Sequence, residues 1–312
     1  MESEEESMTL HGRAGLFVAG LCLAAACAAP GASPTAVTPT ETPATAPTQA
    51  ASPTQGGDAG DLLARIRQAG KIRISTDADY APQSSVTETG DYEGFDIDTG
   101  EEIAERLGVE AEWSPQIWDT VIAGSWSERW DMSVGSITVT PEREELFAFT
   151  QPYYYTPAEI AVVEGAGITS IEDLAGKVAC VGEDTTYLYW IEGTLNLGEG
   201  GEMVTEAPEG LTATTFETDA NCAEALRAGR RDFEAFITAG AVIDEAIAAG
   251  TPLVKIGEPI FFEPLAVAFD KNGPPHAELL AEVDRILGEM HADGTLTEFS
   301  MTWYEEDLTK TD

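Results

Sequence analysis

The sequence has 312 residues, 43% of them hydrophobic, which is enough to build packed cores in two ordinary domains. Its 56 acidic side chains outnumber 16 lysines and arginines, and the resulting formal charge of −40 excludes nucleic acid and an anionic membrane surface as partners. The three histidines (His11, His276 and His291) are scattered and lack spaced cysteine partners, so the chain offers no metal site and calls for no cofactor.

From Leu16 to Ala29 the chain is apolar or small throughout, a run too short to span a bilayer but right for the apolar segment of a signal peptide. Export is therefore expected. The run contains "LAAAC", residues 23–27, which resembles the lipobox of bacterial lipoproteins and marks Cys27 for lipidation, although Ala24 stands where a large aliphatic residue is usual. Ordinary cleavage after a small-x-small site such as Ala24 to Ala26 is the alternative. The acidic "MESEEES" fits a signal n-region poorly, and translation is expected to start at Met8, which leaves Arg13 as the leader's charge. Residues 1–27 thus read as a signal peptide with lipobox. Residues 28–60, rich in Pro, Thr, Ala and Ser, read as a disordered linker that cannot bury a core and reaches roughly 30 Å as a flexible coil.

Of the four cysteines, Cys22 leaves with the leader and Cys27 takes the lipid. Cys180 and Cys222 remain in an oxidising compartment and are expected to form a disulfide, with two buried thiols as the alternative.

From residue 61 the pattern alternates helix and strand. "DLLARIRQAG" predicts a helix ending at Gly70, and "KIRIST" a strand. "EEIAERLG" places Ile103, Ala104 and Leu107 on one helical face before Gly108. "TSIEDLAGK" carries a capping box from Ser170 to Asp173 and leads to the strand "VACV"; "DANCAEALRAG" reads as a capped helix ending at Gly229. "AELLAEVDRILGEMHADG" spaces Leu279, Leu280, Val283, Ile286, Leu287 and Met290 at three and four, closed by Gly294. This alternation predicts α/β units with parallel sheets.

Ligands of open α/β sheets sit beyond the carboxyl ends of the strands. The loop "STDADYAPQ" places Asp77 and Tyr80 there, "GSITVTPER" supplies Ser136, Thr138 and Arg143, and "GEDTTY" opens a helix after "VACV". Arginine is scarce in this stretch, since Lys177 is the only other basic residue between Arg129 and Arg227. The predicted site is a polar crevice for a small carboxylate, clamped by two parallel N–H bonds from Arg143.

These residues resemble the type 3 periplasmic solute-binding proteins that feed amino acids to ABC importers. "GFDIDTGEEIAERLG" (94–108) is similar to the family signature, with Thr99 in place of an aliphatic residue. "DADYAP" (77–82), "IWD" (117–119), "GSITVTPER" (135–143), "FTQPYYY" (149–155) and "ADGTLTEFSMTWY" (292–304) resemble the remaining landmarks in order. The likeness covers roughly residues 61–308.

The resemblance implies two Rossmann-like α/β lobes joined by two hinge strands, the periplasmic-binding-protein type II or Venus-flytrap architecture. Lobe 1 would comprise 61–155 and 264–312, lobe 2 would comprise 156–263, and the crossings would fall near "YTPAEIAV" and "EPLAVAF". By the same likeness Arg143 binds the ligand carboxylate, Thr138 adds a hydroxyl and an N–H, and the Gly135 carbonyl with Ser136 meets the amine. Tyr80 and Trp118 would sandwich the ligand side chain, and Asp77 would read its polar groups.

Lobe 2 departs from the pattern. Glu183, Asp184 and Thr185 stand where the family has Gly-Ser/Thr-Thr, with Thr185 placed to donate to the carboxylate. The aspartate that pairs with the ligand amine should follow "AFIT", but Ala239 stands there. Either Asp184 or Glu183 then supplies the missing charge, or the ligand has no conventional α-amine.

The resemblance implies a binding protein without chemistry. Its expected ligand is a small amino acid, polar or cationic, and its partner an ABC permease in the membrane. The chain is expected to be an extracytoplasmic monomer, lipid-anchored at the outer face of the cytoplasmic membrane or free in the periplasm. The competing readings are a cyclohexadienyl or arogenate dehydratase-like enzyme and a binder of a small carboxylate that is not an amino acid.

Overall fold

The computed structural model describes residues 61–310 apart from Glu199. The expectations on the leader, Cys27, the start at Met8 and the linker lie outside the described residues.

Helix α1 (Leu62–Ala69) leads into β1 (Lys71–Thr76), as the sequence predicts. Leu62, Leu63 and Ile66 form its buried face, and the Asp61 carboxylate caps it by accepting from the Leu63 N–H at 2.9 Å. Three short strands follow, β2 (Asp79–Tyr80), β3 (Ser84–Val86) and β4 (Tyr92–Glu93), paired as a small antiparallel sheet of their own. Helix α2 (Phe95–Leu107) begins earlier than its amphipathic pattern suggests. Asp96 and Asp98 sit in its first turn, where the helix dipole favours acids. Gly94 precedes it at φ 132°, and a Cβ there would meet the Gln83 carbonyl oxygen at 2.3 Å, so only glycine fits.

β5 (Glu110–Pro115), α3 (Trp118–Ile122), β6 (Met132–Thr138) and α4 (Pro141–Glu144) complete this pass, and the 17-residue β7 (Phe147–Val163) carries the chain out of it. A 3-10 turn at Ile171–Leu174 uses the predicted Ser170–Asp173 capping box. The second half then adds β8 (Val178–Gly182), α5 (Thr186–Glu192), β9 (Glu202–Met203), β10 (Thr212–Phe216), α6 (Asp219–Arg227), β11 (Ala235–Ala239) and α7 (Gly240–Ala248). α6 stops short of Gly229, with Ala228 as its C-cap. The 18-residue β12 (Leu253–Asp270) returns to the first half, which α8 (Ala277–Asp293) and α9 (Thr295–Tyr304) close.

The main sheet runs β10-β8-β11-β7-β12-β6-β1-β5, with β9 attached to β12. Parallel pairing is confined to its two ends, β1 with β5 and β6, and β8 with β10 and β11. The parallel pairing expected of the α/β units is found at these ends, and the centre is antiparallel. There β7 and β12 pair antiparallel along their length, because one strand carries the chain from the first half to the second and the other brings it back. Their register holds Thr156 opposite Glu263 and Tyr155 opposite Pro264, and it shifts between Ile256 and Phe261 and again past Leu265. These irregularities bend the strands where they pass between the halves.

Two large cores lie on either side of this crossing. One gathers Ile72, Ile74, Phe95 and Ile103 with Val267, Phe269 and the α8 residues Leu279, Val283, Ile286, Leu287 and Met290, all fully buried. The other gathers Ile160, Ala179, Val181, Leu226, Phe233, Phe236 and Phe261. The molecule therefore has the two-lobe architecture of the periplasmic-binding-protein type II fold. No helix among the described residues is long and apolar enough to cross a membrane.

Candidate ligand-binding site

Between the two cores lies a cavity of ≈ 40 Å³, room for only a few water-sized groups. Of the predicted residues, Asp77, Tyr80, Trp118, Gly135, Ser136, Thr138, Arg143 and Thr185 line it. Asp184 does not; its side chain is exposed and only its backbone carbonyl reaches the site.

Arg143 lies on α4, which Thr140 caps by accepting from the Arg143 N–H at 3.2 Å. Its side chain is only 7% exposed. One guanidinium nitrogen donates to the Thr138 carbonyl and the other to the Asp184 carbonyl, each at 3.2 Å. The Trp118 ring centroid lies 5.1 Å from the guanidinium carbon, a cation–π distance, and the indole N–H donates to the same Asp184 carbonyl at 3.3 Å. Burial lowers the Arg143 pKa, and neighbouring negative charge, Glu263 foremost, partly restores it.

Two predicted hydroxyls are engaged elsewhere. Thr138 donates its hydroxyl to Glu263 at 2.6 Å, and the Thr185 hydroxyl donates to the Gly182 carbonyl while capping α5. Ser136 holds a left-handed backbone at φ 54°, a conformation that a residue with a Cβ adopts only under constraint. The constraint is a buried network: the Ser136 N–H donates to the Tyr153 hydroxyl, and the Ser136 side chain bonds Asp96 at 2.7 Å and the Tyr154 hydroxyl at 2.6 Å. Its hydroxyl is thus committed to Asp96 and not to the cavity. Tyr153 also donates to Asp96, yet burial outweighs both hydrogen bonds and pushes the Asp96 pKa up to about 7.

Sequence reasoning missed the acids that dominate the far wall. Glu263, on the crossing strand β12, is fully buried and accepts from Thr138, Thr186 and Tyr187 at 2.6, 2.7 and 2.9 Å. Burial raises its pKa as well, against these hydroxyls and Arg143. Desolvation is thus the largest influence on each partner and exceeds their mutual attraction. Asp219, the first residue of α6, accepts from the Gly182 N–H and the Thr238 hydroxyl, both at 2.8 Å, and burial pushes its pKa up to about 7. Asp77 is pushed to about 6, again chiefly by burial. With Glu217, four carboxylates line the cavity together with Arg143, the one basic side chain that does so among the described residues. Only the placement of "FETDANC" at the end of a strand could have flagged Asp219; nothing local distinguishes Glu263.

Several bonds join the two sides. Besides the contacts to Asp184, the Tyr80 hydroxyl meets that of Tyr187 at 3.1 Å, and Thr218 donates to Asp79 at 3.0 Å. Cys180 and Cys222 form the predicted disulfide and tie β8 to α6. Ala239 is fully buried at the N-cap of α7 and does not line the cavity.

The family model of the bacterial extracellular solute-binding proteins, family 3, matches residues 72–306. The L-cystine-binding protein TcyJ of Escherichia coli is 28% identical over 251 residues, covering 80% of this chain and 88% of its own. The lysine/arginine/ornithine-binding periplasmic protein of Escherichia coli is 27% identical over 238 residues, covering 75% and 87%. Among solved structures, the ancestral amino acid-binding protein AncCDT-1, described as a precursor of cyclohexadienyl dehydratase, superposes with a TM-score of 0.65 at 30% identity, covering 78% of this chain and 99% of its own.

Proposed function

Because the chain belongs to the bacterial extracellular solute-binding proteins of family 3, we propose that it is the substrate-binding component of an ABC importer and traps a small amino acid by hinge closure. The observation that carries this reading is Arg143, a buried guanidinium between the Trp118 ring and a carbonyl of the opposite lobe. In that position it can exchange its carbonyl acceptors for a ligand carboxylate, a stronger, charge-assisted and forked contact.

The ligand enters when the lobes swing apart, and its contacts with both lobes favour closure. Lobe 1 comprises 61–155 with 264–312, and lobe 2 comprises 156–263. An acidic wall favours polar or cationic side chains. Export by the leader, anchoring through Cys27, recognition by a membrane permease and a monomeric state belong to the same proposal.

Isothermal titration against the standard amino acids and L-cystine tests it; a flat response to all of them would remove the amino-acid reading. Buried acids with raised pKa values, Asp219 above all, also suit a general acid, which supports a second reading as an arogenate or prephenate dehydratase. An assay for loss of either substrate separates the two.

A further inference from the structure

One wall of the cavity is a stretch of β6 that the sheet does not hold. β6 pairs with β12 at Ile137 and Thr138 and again at Ser133, and with β1 at Met132 and Ser133. Between these points Gly135 and Ser136 have no partner in either ladder, and both line the cavity. The Ser136 backbone stands at φ 54°, which a residue with a Cβ keeps only where its surroundings over-determine it. Side chains take the place of the ladder here, since the Ser136 N–H donates to the Tyr153 hydroxyl at 3.0 Å.

Asp96 sets the direction of each bond in this network. It is fully buried, does not line the cavity, and accepts from Tyr153 on one oxygen at 2.6 Å and from Ser136 on the other at 2.7 Å. Because the Ser136 hydrogen goes to Asp96, the Tyr154 hydroxyl at 2.6 Å donates to Ser136. The Tyr153 hydroxyl gives its own hydrogen to Asp96 and is left to accept from the Ser136 N–H. An ionised carboxylate, which only accepts, satisfies this order. A protonated one carries a hydrogen of its own, so Ser136 or Tyr153 must redirect its hydrogen and give up the charge-assisted bond. The titratable groups facing Asp96 are Tyr153 and Tyr154 on β7, Tyr304 on α9 and Asp77 after β1. Asp77 repels its charge, and no basic side chain pairs with it among the described residues.

We propose, on the basis of the amino-acid reading above, that Asp96 is a positioning residue of the binding site: acting through Ser136, its carboxylate keeps the Gly135–Ser136 backbone turned towards the ligand, and neutralising it weakens binding. Burial holds the Asp96 pKa at about 7 in the unliganded protein. A ligand that needs the ionised network expels the proton as it binds, so affinity falls as pH drops through about 7. The unliganded fold gains stability over the same drop, because its buried acid holds a proton that the unfolded chain has released. Weaker binding at low pH is therefore not loss of folded protein.

The test is isothermal titration of the full chain with the amino acid that binds it most tightly, at pH 8 and pH 5. It compares wild type, Asp96→Asn, Ser136→Gly and the double variant. At pH 8 Asp96→Asn is expected to weaken binding at least about tenfold, the loss of one hydrogen bond to a charged group. Glycine adopts the left-handed backbone without constraint, so in the Ser136→Gly background the same change is expected to cost less than about threefold. Wild-type affinity is expected to fall at least about fivefold from pH 8 to pH 5, while the gap between wild type and Asp96→Asn closes to less than about threefold. Asp77, Asp219 and Glu263, also raised by burial at the cavity, are common to both proteins, so the closing gap reports Asp96. Equal losses from Asp96→Asn with and without Ser136 overturn the proposal, since an acid that merely supports the fold acts regardless of Ser136. So does a wild-type affinity that stays within about twofold from pH 5 to pH 8, even if every variant fails to fold. A panel in which no amino acid binds wild-type protein removes the parent reading, and this one with it. Binding that Asp96→Asn leaves unmoved at pH 8 removes this one alone.

Discussion

Replacing Arg143 by alanine removes a guanidinium that is 7% exposed, donates to two carbonyls at 3.2 Å and lies against the Trp118 ring. Truncating one partner of a buried, hydrogen-bonded charge pair costs about 2–5 kcal/mol, or roughly 30-fold to several thousand-fold in affinity. Lysine keeps the charge but loses the fork, so Arg143→Lys should fall between wild type and alanine. The unliganded protein should be affected much less, since removing a desolvated charge offsets the lost contacts. Thermal unfolding with and without ligand separates the two effects. Ligand at about 100 times the wild-type Kd adds about 2.7 kcal/mol, which for a fold of this size raises Tm by roughly 5–10 °C. After a 30-fold loss of affinity, the same concentration adds less than about 1 kcal/mol. An Arg143→Ala variant that keeps the full ligand-induced shift, or binds within about twofold of wild type, would show that the carboxylate is held elsewhere.

Two further outcomes concern stability. Asp96 and Asp219 are pushed to about 7 and Asp77 to about 6 by burial, so between about pH 4 and pH 7 the native state holds protons that the unfolded chain has released. Stability therefore falls as pH rises through that window, by on the order of 4 kcal/mol for a group moved as far as Asp96. The unliganded protein should melt at a higher temperature near pH 5 than near pH 8 and Asp96→Asn should flatten the slope; a Tm that climbs towards pH 8 would contradict the burial argument. The Cys180–Cys222 bridge closes a loop with a sequence separation of 42, worth about 4 kcal/mol in the chain-entropy picture. Reduction should accordingly lower Tm by roughly 10 °C, and an unchanged melting curve after verified reduction would exclude a stabilising bridge.

The sequence by itself determined those features whose signals are local. Asp61 and Gly70 bound α1, the three-and-four spacing of α8 buries the side chains it marks apart from the half-buried Leu280, and the loop ending in Arg143 places a guanidinium beside a crevice. The pairing of Cys180 with Cys222 followed from elimination among four cysteines and needed no geometry. Tertiary structure decided the rest, because the remaining features depend on which distant segments meet. Ser136 was legible as part of a hydroxyl-bearing loop, but Tyr153, Tyr154 and Asp96 turn its side chain inward from other elements. Glu263 reads as one acid among 56 until β12 crosses beside β7 and brings it under Thr138, Thr186 and Tyr187. Asp219 reads as an ordinary first-turn acid of a helix, and docking of α6 against β8 and β11 turns it into a buried carboxylate. The charge of an acid is written in the chain, but its desolvation depends on atoms contributed from elsewhere in the fold.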